Sequence, residues 1–503
     1  MVKVKLKKKG EEEAQATPSS GEGKEILDMI AGLNRLMKKV ESIRGIDLEF
    51  DEIILEGVMP PYELLSKLLS AAPPAVGAPA PAAAAEVAEA PKPAIKLEEF
   101  KLTPPIETHP GAFAEVVLGA TRDEGGTRAF TLKIGGNNTP PYYRFEGGLP
   151  HRPVIAHIVF DEDPGLSKLL REQYGDVVED PAAWAKKLVD VYGAKAITLD
   201  LNSTDPKGTN RSAEEAAQTL REVLDAVDVP VGIVVRSGNM AKDVEVVEAC
   251  AKEAKGENLF ITSTSLVLPT WVGVELDDEV LQYYDIAKEY GHTIVSYQPM
   301  NAQGLAWLNK TAINKEIPTS KIMTDPGMVG VGYGTELVVT TMDTVVNKAL
   351  IGDENFQPPI IAAPCNAWLN REAWNKFEEW GSEIERGTSF ECATAAAALA
   401  SGAHMLVMLN QRAIEMTEAL LDKIYLTKLT DTRSVMRHLP KNDCKKCGYN
   451  TCQEMAEALL KGEAEVEKCE QMTPAGIRTL KRLLNPEGVK PDPAEIANWV
   501  VEV

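Results

Sequence analysis

Histidine and cysteine are both scarce in this chain, at six and seven of 503 residues. The six histidines (His109, His151, His157, His292, His404 and His438) show no metal-ligand spacing. Seven cysteines, an odd and low number for the length, point to a reducing compartment and hence a cytoplasmic protein. No stretch of about 18 apolar residues occurs, so no transmembrane helix is expected. The start, MVKVKLKKKGEEE, lacks the apolar segment of a secretory signal. Basic residues fall short of acidic ones, 53 against 75, and the net charge of −22 would repel nucleic-acid phosphates. No G-x-G-x-x-G follows the first strand of the main domain, and no nucleophile elbow is present.

What cysteine there is lies concentrated. Cys444, Cys447, Cys452 and Cys469 form a C-x2-C-x4-C-x16-C pattern near the C-terminus, with Gly448 in the loop and a helix-like segment before the fourth thiol. A tight thiolate loop closed by one distant cysteine suits a cubane cluster, each iron taking one sulfur. Zinc and disulfides are the alternatives. A zinc ribbon would need a second C-x2-C knuckle, and disulfides conflict with a reducing compartment.

Along the chain, residues 1–70 read as an N-terminal extension. It holds a helix-like run, EILDMIAGLNRLMKKVESI, and a short strand within LEFDEIILEG, either a docking module or a lone amphipathic helix for a partner. Residues 71–98 are an Ala/Pro-rich linker. Residues 99–152 carry two strands, AFAEVVLG and RAFTLKIGG, read as a hairpin cap. From 153 to 427, eight apolar, β-branched runs alternate with helical segments. Strands buried on both faces alternating with helices mean a parallel sheet, and eight units predict an α/β fold of the (βα)8 TIM-barrel type. Residues 428–503 complete the chain as a small 4Fe–4S domain and tail.

In such a barrel, function sits where the strands end. The strand-end candidates are Asn202, Ser203, Thr204, Ser237, Gly238, Asn239, Thr264, Asp325 and Asn366, with Asp200, Asp205, Gln298, Asn301 and Cys365 nearby. They are mostly amides and hydroxyls, suited to a polar ligand held by neutral hydrogen bonds. The bland reading is that Asp-Pro pairs cap turns, Asn and Ser satisfy loop backbone, VGVGYG is a flexible loop and Cys365 is structural. No strand ends in Lys, so the face reads as a binding surface more than an acid–base centre.

The stretches GGNNTPPYYRFEG, VIAHIVFDEDP, AKAITLDLNSTDP, TDPGMVGVGYG and EIANWVVEV resemble the delta (small) subunit of the corrinoid iron–sulfur protein of the acetyl-CoA decarbonylase/synthase (CO dehydrogenase/acetyl-CoA synthase) complex. The cysteine stretch resembles a 4Fe–4S module with the pattern N/D-C-x2-C-G-x2-T-C, matched here through Gly448 and Thr451. That module usually belongs to the gamma subunit, so its place at the C-terminus of a delta-like chain is a departure. The resemblance implies a TIM barrel that pairs with a gamma subunit, and a corrinoid (cobalamin type) shared between them. That corrinoid carries a methyl group from a methyl-tetrahydropterin to the nickel site of acetyl-CoA synthase, and a cluster reactivates cobalt. Acetyl-CoA synthase and CO dehydrogenase subunits and a methyl-tetrahydropterin methyltransferase are the further partners implied. The nine strand-end residues would then face the corrinoid. The alternative is a self-contained pterin-dependent methyltransferase using Asp200, Asn202 and Asp325.

Overall fold

A computed structural model describes residues 3–6, 53–56, 106–143, 146–266 and 276–486. The chain divides into two units, Met1–Leu97 and Glu98–Val503. In the first, Lys3–Leu6 pairs antiparallel with Ile53–Glu56, which lies within the expected strand. The expected N-terminal helix, the Ala/Pro linker and the closing EIANWVVEV lie outside the described residues.

The second unit is built on eight parallel strands: β1 (Val154–Phe160), β2 (Ala196–Asp200), β3 (Val231–Val235), β4 (Phe260–Ser263), β5 (Thr293–Tyr297), β6 (Ile322–Asp325), β7 (Ile361–Ala362) and β8 (Met405–Met408). All eight fall inside the runs read from the sequence. The order is β6-β5-β4-β3-β2-β1-β8-β7. A bridge between Thr324 and Ile360, with the Thr324 N–H donating to Pro359 O at 2.9 Å, joins β7 back to β6 and brings the sheet to closure. β7 is only two residues long, where a run of five to eight was expected. Pro358 and Pro359 have no N–H to donate, and Pro364 opens a 3-10 turn directly after it.

Eight helices cover the strands: α1 (Pro181–Asp190), α2 (Ala213–Ala226), α3 (Met240–Glu253), α4 (Asp278–Tyr290), α5 (Ala302–Asn314), α6 (Thr335–Leu350), α7 (Glu383–Ala400) and α8 (Gln411–Tyr425). Their starts are written locally. Ser212 and Glu215 form a capping box on α2, and Asn239, Asn301 and Asn410 cap α3, α5 and α8. Each cap is the residue at which the loop from a strand end becomes helix.

The expected hairpin cap is Glu115–Leu118 paired with Leu132–Gly135. It covers the N-terminal end of the barrel. Arg128, 2% exposed, reaches Glu257 at 2.9 Å and donates to the carbonyls of Leu224 and Val227, all on segments that precede strands. Asn258 Nδ2 donates to Val117 O at 2.7 Å. At the opposite end, where the strands finish, the described residues leave a cleft.

After α8 the chain forms a small module with its own core of Leu429, Val435, Leu439, Met455, Leu459, Val466, Leu480 and Leu483. Its main helices are α9 (Cys452–Lys461) and α10 (Pro474–Leu484). It rests on the barrel through Asp422 of α8. That carboxylate, its side chain 2% exposed, takes Arg152 at 3.0 Å, His438 at 3.2 Å and Arg437 at 3.3 Å. Arg433 donates to Val191 O at 2.9 Å; it passes Gly193, where a Cβ would lie inside its guanidinium.

Candidate functional sites: the barrel mouth and the cysteine module

At the strand ends lies a cleft of about 750 Å³. Ile158 and Phe160 of β1, Asp200 of β2, Arg236 after β3, Cys365 and Asn366 after β7 and Leu409 after β8 line it. Trp368, Leu369 and Trp374 form an apolar wall with two indoles. The volume is within the range of small-molecule sites, and an apolar wall with a few convergent polar groups is their usual make-up.

The polar centre is a pair. Arg236 Nε donates to Asp200 Oδ1 at 2.8 Å, and no further protein partner takes its Nη groups among the described residues. Burial pushes the Asp200 carboxyl up to about 6, against the pull of Arg236. Behind the wall, Glu391 of α7 is fully buried. It accepts from Trp368 Nε1 at 2.8 Å, Leu409 N at 2.6 Å and Asn410 N at 2.9 Å. Burial raises its pKa to about 7. The same carboxylate therefore fixes the indole in the cleft and the end of β8.

Of the nine strand-end candidates, Asn366 lines the cleft, and its Nδ2 donates to Met328 O at 2.8 Å. Ser203 is buried, and its N–H and Oγ both bond the Asp161 carboxylate. Thr204 Oγ1 donates to Leu201 O. Ser237 bonds the fully buried Asp243, which also takes Ser263 Oγ at 2.6 Å. Asn239 caps α3, and Gly238 gives its N–H to Ser265 Oγ. Thr264 is half-buried, with its N–H on Val235 O. Asp325 takes the Gly327 N–H at 2.8 Å, and burial raises its pKa to about 7. Asn202 differs: its Oδ1 is buried with no hydrogen-bond partner among the described residues. Sequence reasoning passed over Arg236, although a charge directly after the run VGIVV was a readable signal. Trp368 and Trp374 carried no local signal, because the loop after β7 brings them in.

In the C-terminal module, Thr451 caps α9, so Cys452 starts that helix where the dipole favours a thiolate. The Cys452 N–H donates to Asp443 Oδ1 at 2.6 Å. Asp443, Lys445 and Gly448 have positive φ, which curls the loop. Burial raises the Cys469 thiol, and so do the neighbouring Cys447, Cys452 and Cys444. All seven cysteines are free thiols. Among the described residues, no three His, Cys, Asp or Glu side chains stand close enough to hold a single ion. Four cysteine thiols on one small module are the kind of donor set that an iron–sulfur cluster takes.

No helix among the described residues is long and apolar enough to cross a membrane. An Fe-S cluster family model matches residues 439–470. The family model for the CO dehydrogenase/acetyl-CoA synthase delta subunit matches residues 115–420. The acetyl-CoA decarbonylase/synthase complex subunit delta of Archaeoglobus fulgidus is 36% identical over 386 residues, covering 70% of this chain and 82% of that protein. The subunit of the same name from Methanocaldococcus jannaschii is 34% identical over 386 residues, covering 76% and 90%. Among solved structures, a dihydropteroate synthase of Xanthomonas albilineans is similar at 15% identity and a TM-score of 0.37, covering 55% of this chain and 93% of that one. With the family model matching more than half of the chain and curated relatives matched over most of their length, this chain belongs to the CO dehydrogenase/acetyl-CoA synthase delta subunit family.

Proposed function

We propose that this chain is a cytoplasmic delta-type subunit of an acetyl-CoA decarbonylase/synthase complex, whose barrel mouth faces a corrinoid shared with a gamma subunit. The open cleft carries this reading: a binding surface built on one ion pair and amides, with no paired acid and base. When bound, the corrinoid cobalt supplies the nucleophile that accepts and passes a methyl group. The chain's own residues bind and orient. Arg236 offers its Nη donors to amide or carboxylate oxygens of the ligand, and Asn366 adds a neutral hydrogen bond, while Asn202 lies outside the cleft lining. The aromatic wall of Trp368 and Trp374 excludes water beside it. The remaining strand-end candidates, Ser203, Thr204, Ser237, Gly238, Asn239, Thr264 and Asp325, hold the loops in place beneath that surface. Cys444, Cys447, Cys452 and Cys469 hold a 4Fe–4S cluster, which supplies an electron. Acetyl-CoA synthase and CO dehydrogenase subunits, and a methyl-tetrahydropterin methyltransferase, are the further partners of this reading.

Anaerobic co-purification with the gamma partner, followed by absorbance and metal analysis, tests it. The expected complex carries a corrinoid band. A complex without corrinoid, with methyl transfer by this chain alone, would sink it. The second reading, a self-contained pterin-dependent methyltransferase, has Asp200 in its favour, since that carboxyl lines a cleft of small-molecule size. Asn202 and Asp325 do not line it. Tight pterin binding by the isolated chain, lost in Asp200→Asn, would favour this second reading.

A further inference from the structure

The two walls of the cleft come from distant parts of the chain. One carries Trp368, Leu369 and Trp374, from the loop after β7; the other carries Leu166 and the helix Lys168–Tyr174, from the loop after β1. A run of hydrogen bonds joins them under the end of β8. Trp368 Nε1 donates to Glu391 Oε2 at 2.8 Å, and the same oxygen accepts the Asn410 N–H at 2.9 Å. The Asn410 side chain then reaches the facing helix: its Nδ2 donates to Gln173 Oε1 at 3.2 Å. A parallel path lies beside it. The Leu409 N–H donates to Glu391 Oε1 at 2.6 Å, and the Leu409 carbonyl accepts from the hydroxyl of Tyr174, the next residue after Gln173. Glu391 is 0% exposed and Asn410 1%, so water does not compete at the centre of the run. Hydrogen bonds shielded in this way strengthen one another.

We propose that Glu391 is the positioning residue of the cleft: through Asn410 and Gln173 it couples the indole wall to the helix Lys168–Tyr174 opposite, so that a ligand pressing on one wall is felt at the other. The proposal rests on the reading of the barrel mouth as the ligand-binding face. Glu391 stands behind the wall and touches no ligand. One of its oxygens is shared by Trp368 and Asn410, so the indole cannot shift without disturbing the bond that holds the end of β8. The Asn410–Gln173 bond is the place where the coupling can be cut without altering the apolar surface of either wall. Serine at 410 still caps α8 but is too short to reach Gln173.

The test uses the full chain labelled with 5-fluorotryptophan, with the Trp368 signal among the seven tryptophans assigned from Trp368→Phe. In fluorine NMR, Gln173→Leu should shift the Trp368 signal. Lys168→Met, an exposed change on the same helix outside the run, should leave it in place. In an Asn410→Ser background the Gln173→Leu shift should vanish, and in Glu391→Gln, with one acceptor oxygen for three N–H donors, it should shrink. A Trp368 signal unmoved by Gln173→Leu, moved equally by Lys168→Met, or moved to the same extent in the Asn410→Ser background would overturn the coupling. The complex with the gamma partner is then loaded with hydroxocobalamin, and loading should move the Trp368 signal. Corrinoid uptake with that signal unmoved would overturn the positioning role of Glu391. A complex that takes up no corrinoid would overturn the reading of the mouth beneath it, while the coupling measured in the free chain would stand.

Discussion

Replacing Arg236 by Met keeps much of the side chain's apolar bulk and removes the charge that faces Asp200. The Asp200 side chain is 6% exposed, and its carboxyl is already pushed up to about 6 by burial, with Arg236 pulling the other way. An unfolded Asp titrates near 3.9. Asp200 therefore costs stability as pH rises through that interval, about 3 kcal/mol in full, and is harmless below it. In Arg236→Met the restraining pull is gone, so the penalty still starts at the unfolded pKa but keeps growing to a higher folded pKa, and is larger at neutral pH. Breaking a buried pair costs about 3–5 kcal/mol. The Arg236 side chain is 39% exposed, so screening brings the expected loss down to about 2–3 kcal/mol at pH 7.5. At pH 5 the carboxyl is mostly protonated in both proteins, and the loss should shrink below about 1 kcal/mol. Pulse proteolysis in urea at the two pH values measures this. In an Asp200→Asn background the Arg236→Met change should cost little at either pH. An equal loss at pH 5 and 7.5, or an undiminished loss in that background, would show that Arg236 acts through packing and refute the pairing argument.

Glu391→Gln should destabilise by about 1–3 kcal/mol, because an amide cannot accept three N–H donors, and the fluorescence of Trp368 should shift; an unchanged spectrum would detach the indole from that carboxylate. Wild-type stability arising at Glu391 should decline as pH rises through about 7, a pH dependence absent from the Gln variant. Cys452→Ala should abolish iron uptake and visible absorbance while leaving the barrel's circular dichroism intact; unchanged iron content rejects it as a ligand. Asp422→Ala leaves Arg152, Arg437 and His438 without their shared carboxylate, so limited proteolysis should cut between α8 and the cysteine module faster than in wild type. Gly232→Ala would set a methyl inside the Phe260 ring in the barrel wall, at a cost of about 1–3 kcal/mol read in the same urea assay.

The barrel was legible because its signals are local. Each strand is a β-branched run buried on both faces, and each of four helices opens on a Ser or Asn cap written in the loop before it. The cysteine module was legible for the same reason: ligand spacing and a capped helix are short-range patterns. β7 was overread, since an apolar run does not show that two prolines and a 3-10 turn leave room for two paired residues. The mouth was less legible. Ser203 and Ser237 sit at strand ends as expected, yet each is committed to a buried Asp, one of them on the following helix. The type of residue announces a hydrogen bond but not its partner.

From the sequence alone came the alternating units, the capped helices and the four spaced cysteines, all governed by contacts within a few residues. Tertiary structure decided the rest. It placed Arg236 against Asp200 across two strands, brought Trp368 over from the loop after β7 and set Glu391 behind it. It also turned Cys444 and Cys447 outward with two lysines between them, while Cys452 and Cys469 went inward. Such choices depend on which groups closure of the barrel and docking of the module remove from water. That is set by contacts between residues far apart in the chain, and no short-range pattern records it.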